Sequence, residues 1–244
     1  MATPRRPDTE GPDQPLVDAI VALAETPDHT RDLDARLTAI ARLAVDRVAA
    51  ADYASITTLQ GDEYTTVATT SDIALAVDEA QFADGTGPCL QALESGEPVG
   101  VPDVSATMDW PHFHAVAPGL GLQASVSIPL YTGRGLPIAV LNMYGRDDLA
   151  MAPLIVAVAD LYAISRELSL DMEKPPVSDP GAQELLDGYA QALAVRATIQ
   201  LALKVLARQM GSSEDDAYTE LCLRTTETGD SLSTVAATIL QHQL

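Results

Sequence analysis

Two short β-rich stretches separated by a long irregular excursion constrain this chain more than any other feature. Tyr53 to Gln60 and Tyr64 to Thr69 are rich in Thr, Val, Ile and Tyr and are split by Gly61-Asp62. Gly-Asp supplies a tight turn, and β-branched residues suit a half-buried strand, so the pair predicts a hairpin. Gln123 to Tyr131 and Pro137 to Tyr144 flank Thr132-Gly133-Arg134-Gly135 and predict a second hairpin. Ala124, Val126 and Ile128 alternate there with Ser125 and Ser127, a period of two. Residues 70 to 121 lie between and are dense in Gly, Pro and Asp. A connection that long in a compact domain is functional or carries short helices.

Helices are expected on both sides of this sheet. Leu16 to Glu25 and Arg31 to Ala50 precede it. In the second, Leu33, Leu37, Ile40, Ala41, Ala44 and Val48 recur at helical spacing, with charged residues largely between them. Ala150 to Leu170 follows the sheet with a helical pattern. Residues 171–181 then hold three prolines and four charges, the best boundary candidate in the chain. Beyond it everything reads as helix: Gln183 to Met210 with Gly211 as a stop, a helix opened by Ser213 as N-cap with Asp216 at N3, and a third from Ser231 or Leu232 to His242. The organisation expected is a leader (1–14), a mixed α+β module (15–170), a linker (171–182) and a three-helix unit (183–244). A unit so small buries little surface alone, and the sparse stripe of Leu186 and Leu193 suits pairing, so a homodimer is expected.

Charge bounds the partners. The chain has 14 Lys+Arg against 35 Asp+Glu, a net charge of −21, which repels nucleic acid at long range. Any such contact must come from a local basic patch. Two cysteines, Cys89 and Cys222, exclude a disulfide scaffold and fit a reducing, cytoplasmic setting. No run of about 18 apolar residues is evident, so no membrane span is expected. Met1 to Pro15 lacks an apolar core and reads as a disordered leader rather than a signal peptide.

The chemistry-bearing residues are few. His112 and His114 stand two apart and would point apart on a helix, so no metal site is expected. No nucleophile elbow, Walker loop or His-Glu-x-x-His is present. In Gly85-Thr86-Gly87-Pro88-Cys89, the glycines permit positive φ and Pro88 suits a first helical turn. Cys89 would then sit at the positive end of a helix dipole, which lowers a thiol pKa. Three readings of it stay open: a small buried hydrophobe, a pocket lining, or a redox sensor. A reductase would want a resolving cysteine near Cys89, and that module has none, so the chain is expected not to be an enzyme and to need no cofactor. Trp110 and Phe113 either wall a ligand pocket or pin the loop to the sheet. Asn142 in an apolar strand either faces a cavity or is a satisfied core amide.

The run Gln81 to Ala92, then Ser95-Gly96-Glu97-Pro98-Val99, Val101-Pro102-Asp103, Asp109 to Phe113, Ser125 to Leu130 and Ala139 to Tyr144 resembles the GAF domains of actinobacterial signalling proteins. The resemblance covers about residues 15 to 170. It implies an antiparallel sheet with flanking helices and a small-ligand cavity roofed by the segment between the strand pairs, without saying which ligand.

The C-terminal unit resembles an ANTAR domain, an RNA-binding antiterminator helix bundle often attached to GAF domains. Arg196-Ala197-Thr198-Ile199-Gln200-Leu201-Ala202 matches the family's Arg-x-x-Ile-x-x-Ala. Ala217-Tyr218-x-x-Leu221 and Leu232-x-x-Val235-Ala236 match its later motifs. The resemblance implies an α+β sensor followed by an all-α three-helix bundle that binds structured RNA hairpins in nascent transcripts. It departs at Leu203 and Lys204, where the family usually has a basic residue and Gly, and at Cys222, where it usually has Arg. Residues 182–244 hold four basic residues against eight acidic, a net of −4. Arg196, Lys204 and Arg208 fall on one side of the first helix and form the expected RNA-binding face. A solvated polar face is the competing reading, and a regulator working through protein contacts without RNA is the alternative function.

Overall fold

The computed structural model describes residues 14–28, 30, 32–167 and 177–242. Residues 1–13 of the expected leader and 171–176 of the expected linker lie outside them, as do His29 and Arg31. A five-stranded antiparallel sheet is formed by β1 (Tyr53–Gln60), β2 (Glu63–Thr69), β3 (Val99–Val101), β4 (Ala124–Tyr131) and β5 (Pro137–Gly145), in the order β2-β1-β5-β4-β3. Both expected hairpins are present. They join through β1 and β5, where Ser55 faces Asn142 and Thr57 faces Val140. The third strand is a three-residue piece that sequence did not mark. Gly100 in it lets the strand pass under a helix, because a Cβ there would sit 2.3 Å from Cγ2 of Ile155.

The alternation of the strands divides the sheet into two unlike faces. Ala54, Ile56, Val126, Ile128, Leu141 and Met143 point to one side and pack in an apolar core with α1 (Pro15–Ala24), α2 (Leu33–Arg47), α6 (Asp148–Glu167) and α7 (Pro180–Met210). The burial of each large aliphatic chain there contributes about 1.5–3 kcal/mol. The residues between them, Ser55, Thr57, Ser127, Asn142 and Tyr144, point to the other side. That face is roofed by α3 (Asp72–Asp84), α4 (Pro88–Ser95) and α5 (Pro111–Val116), so the 70–121 excursion is a helical roof. Ser71 starts it as an N-cap, its hydroxyl accepting from the Ile73 N–H, and Gly85 ends α3 with φ +65°.

α7 is shared between two cores. Its first half belongs to the sheet module: Leu185, Leu186, Tyr189 and Leu193 are buried against α1 and its neighbours. Its second half, with Ile199, Leu203 and Leu206, packs on α8 (Glu214–Thr228) and α9 (Leu232–Gln241). Val195 touches both, so the packing break falls inside the helix, and residues 183–194 pack with the first module. The reason is close helix contact. A Cβ on Gly181 would lie 1.7 Å from the Arg47 carbonyl oxygen, and one on Gly188 3.0 Å from Cα of Val17. The Glu184 carboxylate accepts the Leu16 N–H at 2.7 Å, and Asp179 accepts the Ala49 N–H at 2.9 Å, so α7 caps α1 and closes the end of α2. Leu186 and Leu193, expected to form a dimer seam, are 2% and 5% exposed and are consumed within the chain. The caps of α8 and α9 follow the expectation: Ser213 and Asp216 form a capping box, and the Ser231 hydroxyl accepts from the Thr234 N–H. Segments 148–165 and 180–210 are long and apolar enough to cross a membrane by length and composition alone, against the expectation of none. In this fold their apolar sides pack in the cores just described.

Candidate functional site

The space between sheet and roof is filled with polar side chains, although the roof itself is mostly apolar. Asp78 and Gln81 project from one side of α3, three residues apart, and both are fully buried. The Asp78 carboxylate accepts the Tyr144 hydroxyl at 2.6 Å and the Thr66 hydroxyl at 2.8 Å. Gln81 donates to the Tyr144 oxygen at 3.3 Å and accepts the Cys89 N–H at 3.0 Å. In the sheet beneath, Asn142 accepts from Ser127 at 2.8 Å and donates to Ser55 at 3.2 Å and Thr57 at 3.0 Å. Burying so many polar groups is costly unless they are paired, and here they pair with one another. The Ser125 hydroxyl, also buried on this side of β4, has no hydrogen-bond partner among the described residues.

The burial sets the charge states. Asp78 is pushed up to about 6 because desolvation of its carboxylate outweighs the hydrogen bonds from Tyr144, Ser55 and Thr66. Burial also pushes up the Tyr144 hydroxyl, and the neighbouring Asp78 charge adds to it. A compact network holds a carboxyl pushed up to about 6, two amides and several hydroxyls.

Cys89 lies at the edge of this network and is buried in a small apolar cluster with Leu90, Leu93 and Val140. The expectation of a helix-dipole-lowered thiol is overturned. Burial pushes the thiol well above its ordinary value, and nearby Asp78 reinforces the shift. A helix dipole contributes about 0.3–1 kcal/mol, less than the cost of burying a thiolate. Gly87 also differs from expectation. Its φ of 166° is extended backbone, and glycine is needed because a Cβ would meet the Gln81 side chain at 2.3 Å. Asn142 is a fully paired core amide. Phe113 is wholly buried with Val77, Val104, Leu122 and Tyr144, and the Trp110 ring meets it edge-on at 6.3 Å. Both therefore pin α5 to the roof. His114 bonds the Val104 carbonyl and His112 pairs with Asp84 at 2.9 Å, each in its own local contact.

Of the three expected RNA-binding cations, one is already engaged within the chain. Lys204 and Arg208 are exposed on α7. Arg196 is half-buried: its Nε donates to the Gly135 carbonyl at 2.8 Å, and its guanidinium lies 4.3 Å from the centre of the Tyr131 ring. It belongs to a contact between the helical unit and the β4–β5 turn. Lys204 lines a cleft of about 310 Å³ with Arg134, Leu136, Gln200 and Tyr218 at the edge of the same contact. Leu203 is a core residue at 4% exposure, and Cys222 packs against that core.

Sequence reasoning missed the residues that organise both regions. Asp78 and Gln81 were hidden in an excursion read as irregular, although their three-residue spacing and the Ser55/Thr57 and Ser125/Ser127 alternation were the available signals. Arg134 sat in a turn and was read only as loop.

Over residues 30–163 the chain matches the model of the GAF domain. Among curated proteins none matches it. Solved structures similar to it include a type II free methionine-R-sulfoxide reductase from Thermoplasma acidophilum, with 18% identity, 53% of this chain and 93% of that one covered, and a TM-score of 0.36. The GAF domain region of a Geobacter sulfurreducens PCA membrane protein gives 16%, 67%, 94% and 0.39. The nlh2 GAF domain of A. aeolicus, in an inactive state, gives 13%, 58%, 85% and 0.38. Likeness at that level carries no functional argument. The family assignment rests on the sequence match, which spans more than half of the chain: it belongs to the GAF domain family.

Proposed function

We propose that this chain is a non-enzymatic, cytoplasmic signal-responsive regulator. Its GAF module senses a small polar ligand between the sheet and the α3–α4 roof, and its C-terminal helices bind structured RNA hairpins to regulate transcription termination. One observation carries the sensing half: Asp78, Gln81 and Asn142 are all fully buried on the roofed side of the sheet. The role of GAF domains as sensor modules agrees with it. The RNA half draws support from the ANTAR-like motifs and from Lys204 and Arg208, which stand exposed one helical turn apart. Its test is binding of the full chain to a pool of RNA hairpins. Lys204→Ala with Arg208→Ala is expected to weaken binding about tenfold or more, since phosphate contacts supply much of such affinity. Equal binding by the double variant would overturn it.

The second reading is a regulator that works through protein contacts alone. It is favoured by one observation, the engagement of Arg196 with Gly135 and Tyr131. Absence of hairpin binding, with a partner protein retained by the exposed α7 face, would decide for it.

A further inference from the structure

We propose that the helical unit is held in a closed state in which the β4–β5 turn masks Arg196, and that the roof helix α4 controls its release through Tyr131. The proposal rests on the RNA reading above.

The closed contact is built around Arg134. Its guanidinium pairs with Asp28 at 3.1 Å, donates to Asp215 at 2.7 Å and lies 4.8 Å from the centre of the Tyr218 ring. One cation thus ties the α1–α2 loop, the sheet's turn and α8 together. Around it, the Asp28 N–H donates to the Tyr218 oxygen at 3.1 Å, and Ser233 gives its N–H at 3.0 Å and its hydroxyl to Glu25. Gln200 donates to the same Gly135 carbonyl as Arg196. The fit is close: a Cβ on Gly133 would lie 2.7 Å from the Tyr218 oxygen, 2.8 Å from Cδ1 of Leu232 and 3.1 Å from the Thr26 carbonyl. Apart from Tyr218 and Leu232, these contacts are polar. Asp215 is exposed, so its share of the Arg134 pairing is weak. The polar contacts lie across the join between the two cores, whereas Tyr218 and Leu232 also belong to the helical core.

Tyr131 connects this contact to the ligand site. Its hydroxyl donates to the Gly96 carbonyl at 2.9 Å, and Gly96 is the C-cap of α4. Its ring carries Arg196. At the other end of α4, in its first turn, the Cys89 N–H is held by Gln81 of the polar network. A ligand that captures Gln81 frees the start of α4, shifts Gly96, and withdraws the ring from Arg196. This is a two-state element biased from one side by the ligand and from the other by RNA.

The test uses the full chain in four forms: unaltered, Gly133→Leu, Arg134→Glu, and Arg134→Glu with Asp215→Arg. Gly133→Leu wedges the contact without changing charge. Arg134→Glu opposes Asp28 and Asp215, and the charge swap restores one pairing. Hydrogen exchange of residues 132–136 and of α8 reads opening, and anisotropy with a labelled pool of RNA hairpins reads binding. Both single variants are expected to exchange faster and to bind hairpins about tenfold or more tighter, within the usual range of coupling between sites, and the swap to recover only a small part of the change, since Glu at position 134 still opposes Asp28. Faster exchange with unchanged hairpin affinity overturns the proposal, as does unchanged exchange in both single variants. If every form binds hairpins equally, the RNA reading stands and the closed state falls. If none binds, both fall.

Discussion

Tyr131 gives its two ends to different parts of the molecule: its ring face to Arg196 of α7 at 4.3 Å and its hydroxyl to the Gly96 carbonyl at 2.9 Å. Tyr131→Phe keeps the ring and leaves the buried Gly96 carbonyl without this donor. Urea unfolding is expected to show a loss of about 1–3 kcal/mol, the cost of a buried polar group left unpaired. An unchanged midpoint would show that water replaces the hydroxyl.

Asp78 gives the fold a pH dependence of a definite sign. Its folded-state pKa of about 6 lies above its ordinary value of 3.8, so the folded protein binds this proton more tightly than the unfolded one. Its contribution is fully present below pH 4 and is lost as pH rises through 6, a difference of about 3 kcal/mol. Asp78→Asn, which stays neutral, is expected to flatten that part of the stability profile between pH 4 and 7. A profile identical to that of the unaltered chain would contradict the assignment.

Gly181 is where α7 crosses the end of α2. With a Cβ 1.7 Å from the Arg47 carbonyl, Gly181→Ala must displace one of the two helices. Its cost is expected at about 1–3 kcal/mol or above, in thermal or urea unfolding. At Gly211, where an added Cβ would meet no atom within 4 Å among the described residues beyond its chain neighbours, Ala acts through the +65° φ and should cost less.

The two thiols should differ in reactivity. Burial pushes both thiols up, that of Cys89 further, and Cys89 is fully buried whereas Cys222 is half-buried. A thiol reagent at pH 8 is expected to modify Cys222 first, and Cys222→Ser to leave almost no reaction until the protein unfolds. Rapid labelling of Cys89 in the folded Cys222→Ser chain would show that the roof opens readily.

Much of the architecture was legible because it follows from periodicity. Ala124, Val126 and Ile128 alternate cleanly, Gly61-Asp62 closes a turn, and Ser213 with Asp216 forms the expected capping box. What escaped depended on distant partners. Ser55 and Thr57 read as ordinary strand residues, and only the sheet and roof together show that they face a polar network. Pro175, Pro176 and Pro180 suggested a boundary, but Gly181 and Gly188 allow α7 to pack onto α1 and α2. Arg196 carried the right charge in the right motif, and sequence could not say that Gly135 and Tyr131 already engage it. For Cys89 the sequence left three readings open, and only the packed roof favours the small buried hydrophobe.

The most direct measurement is the salt dependence of hairpin binding by the full chain. The account predicts that affinity falls steeply as potassium chloride rises, and that Lys204→Ala with Arg208→Ala lowers the slope of log K against log salt by about 1–2, roughly one unit per phosphate contact. A flat salt profile, or a slope the double variant leaves unchanged, would contradict it.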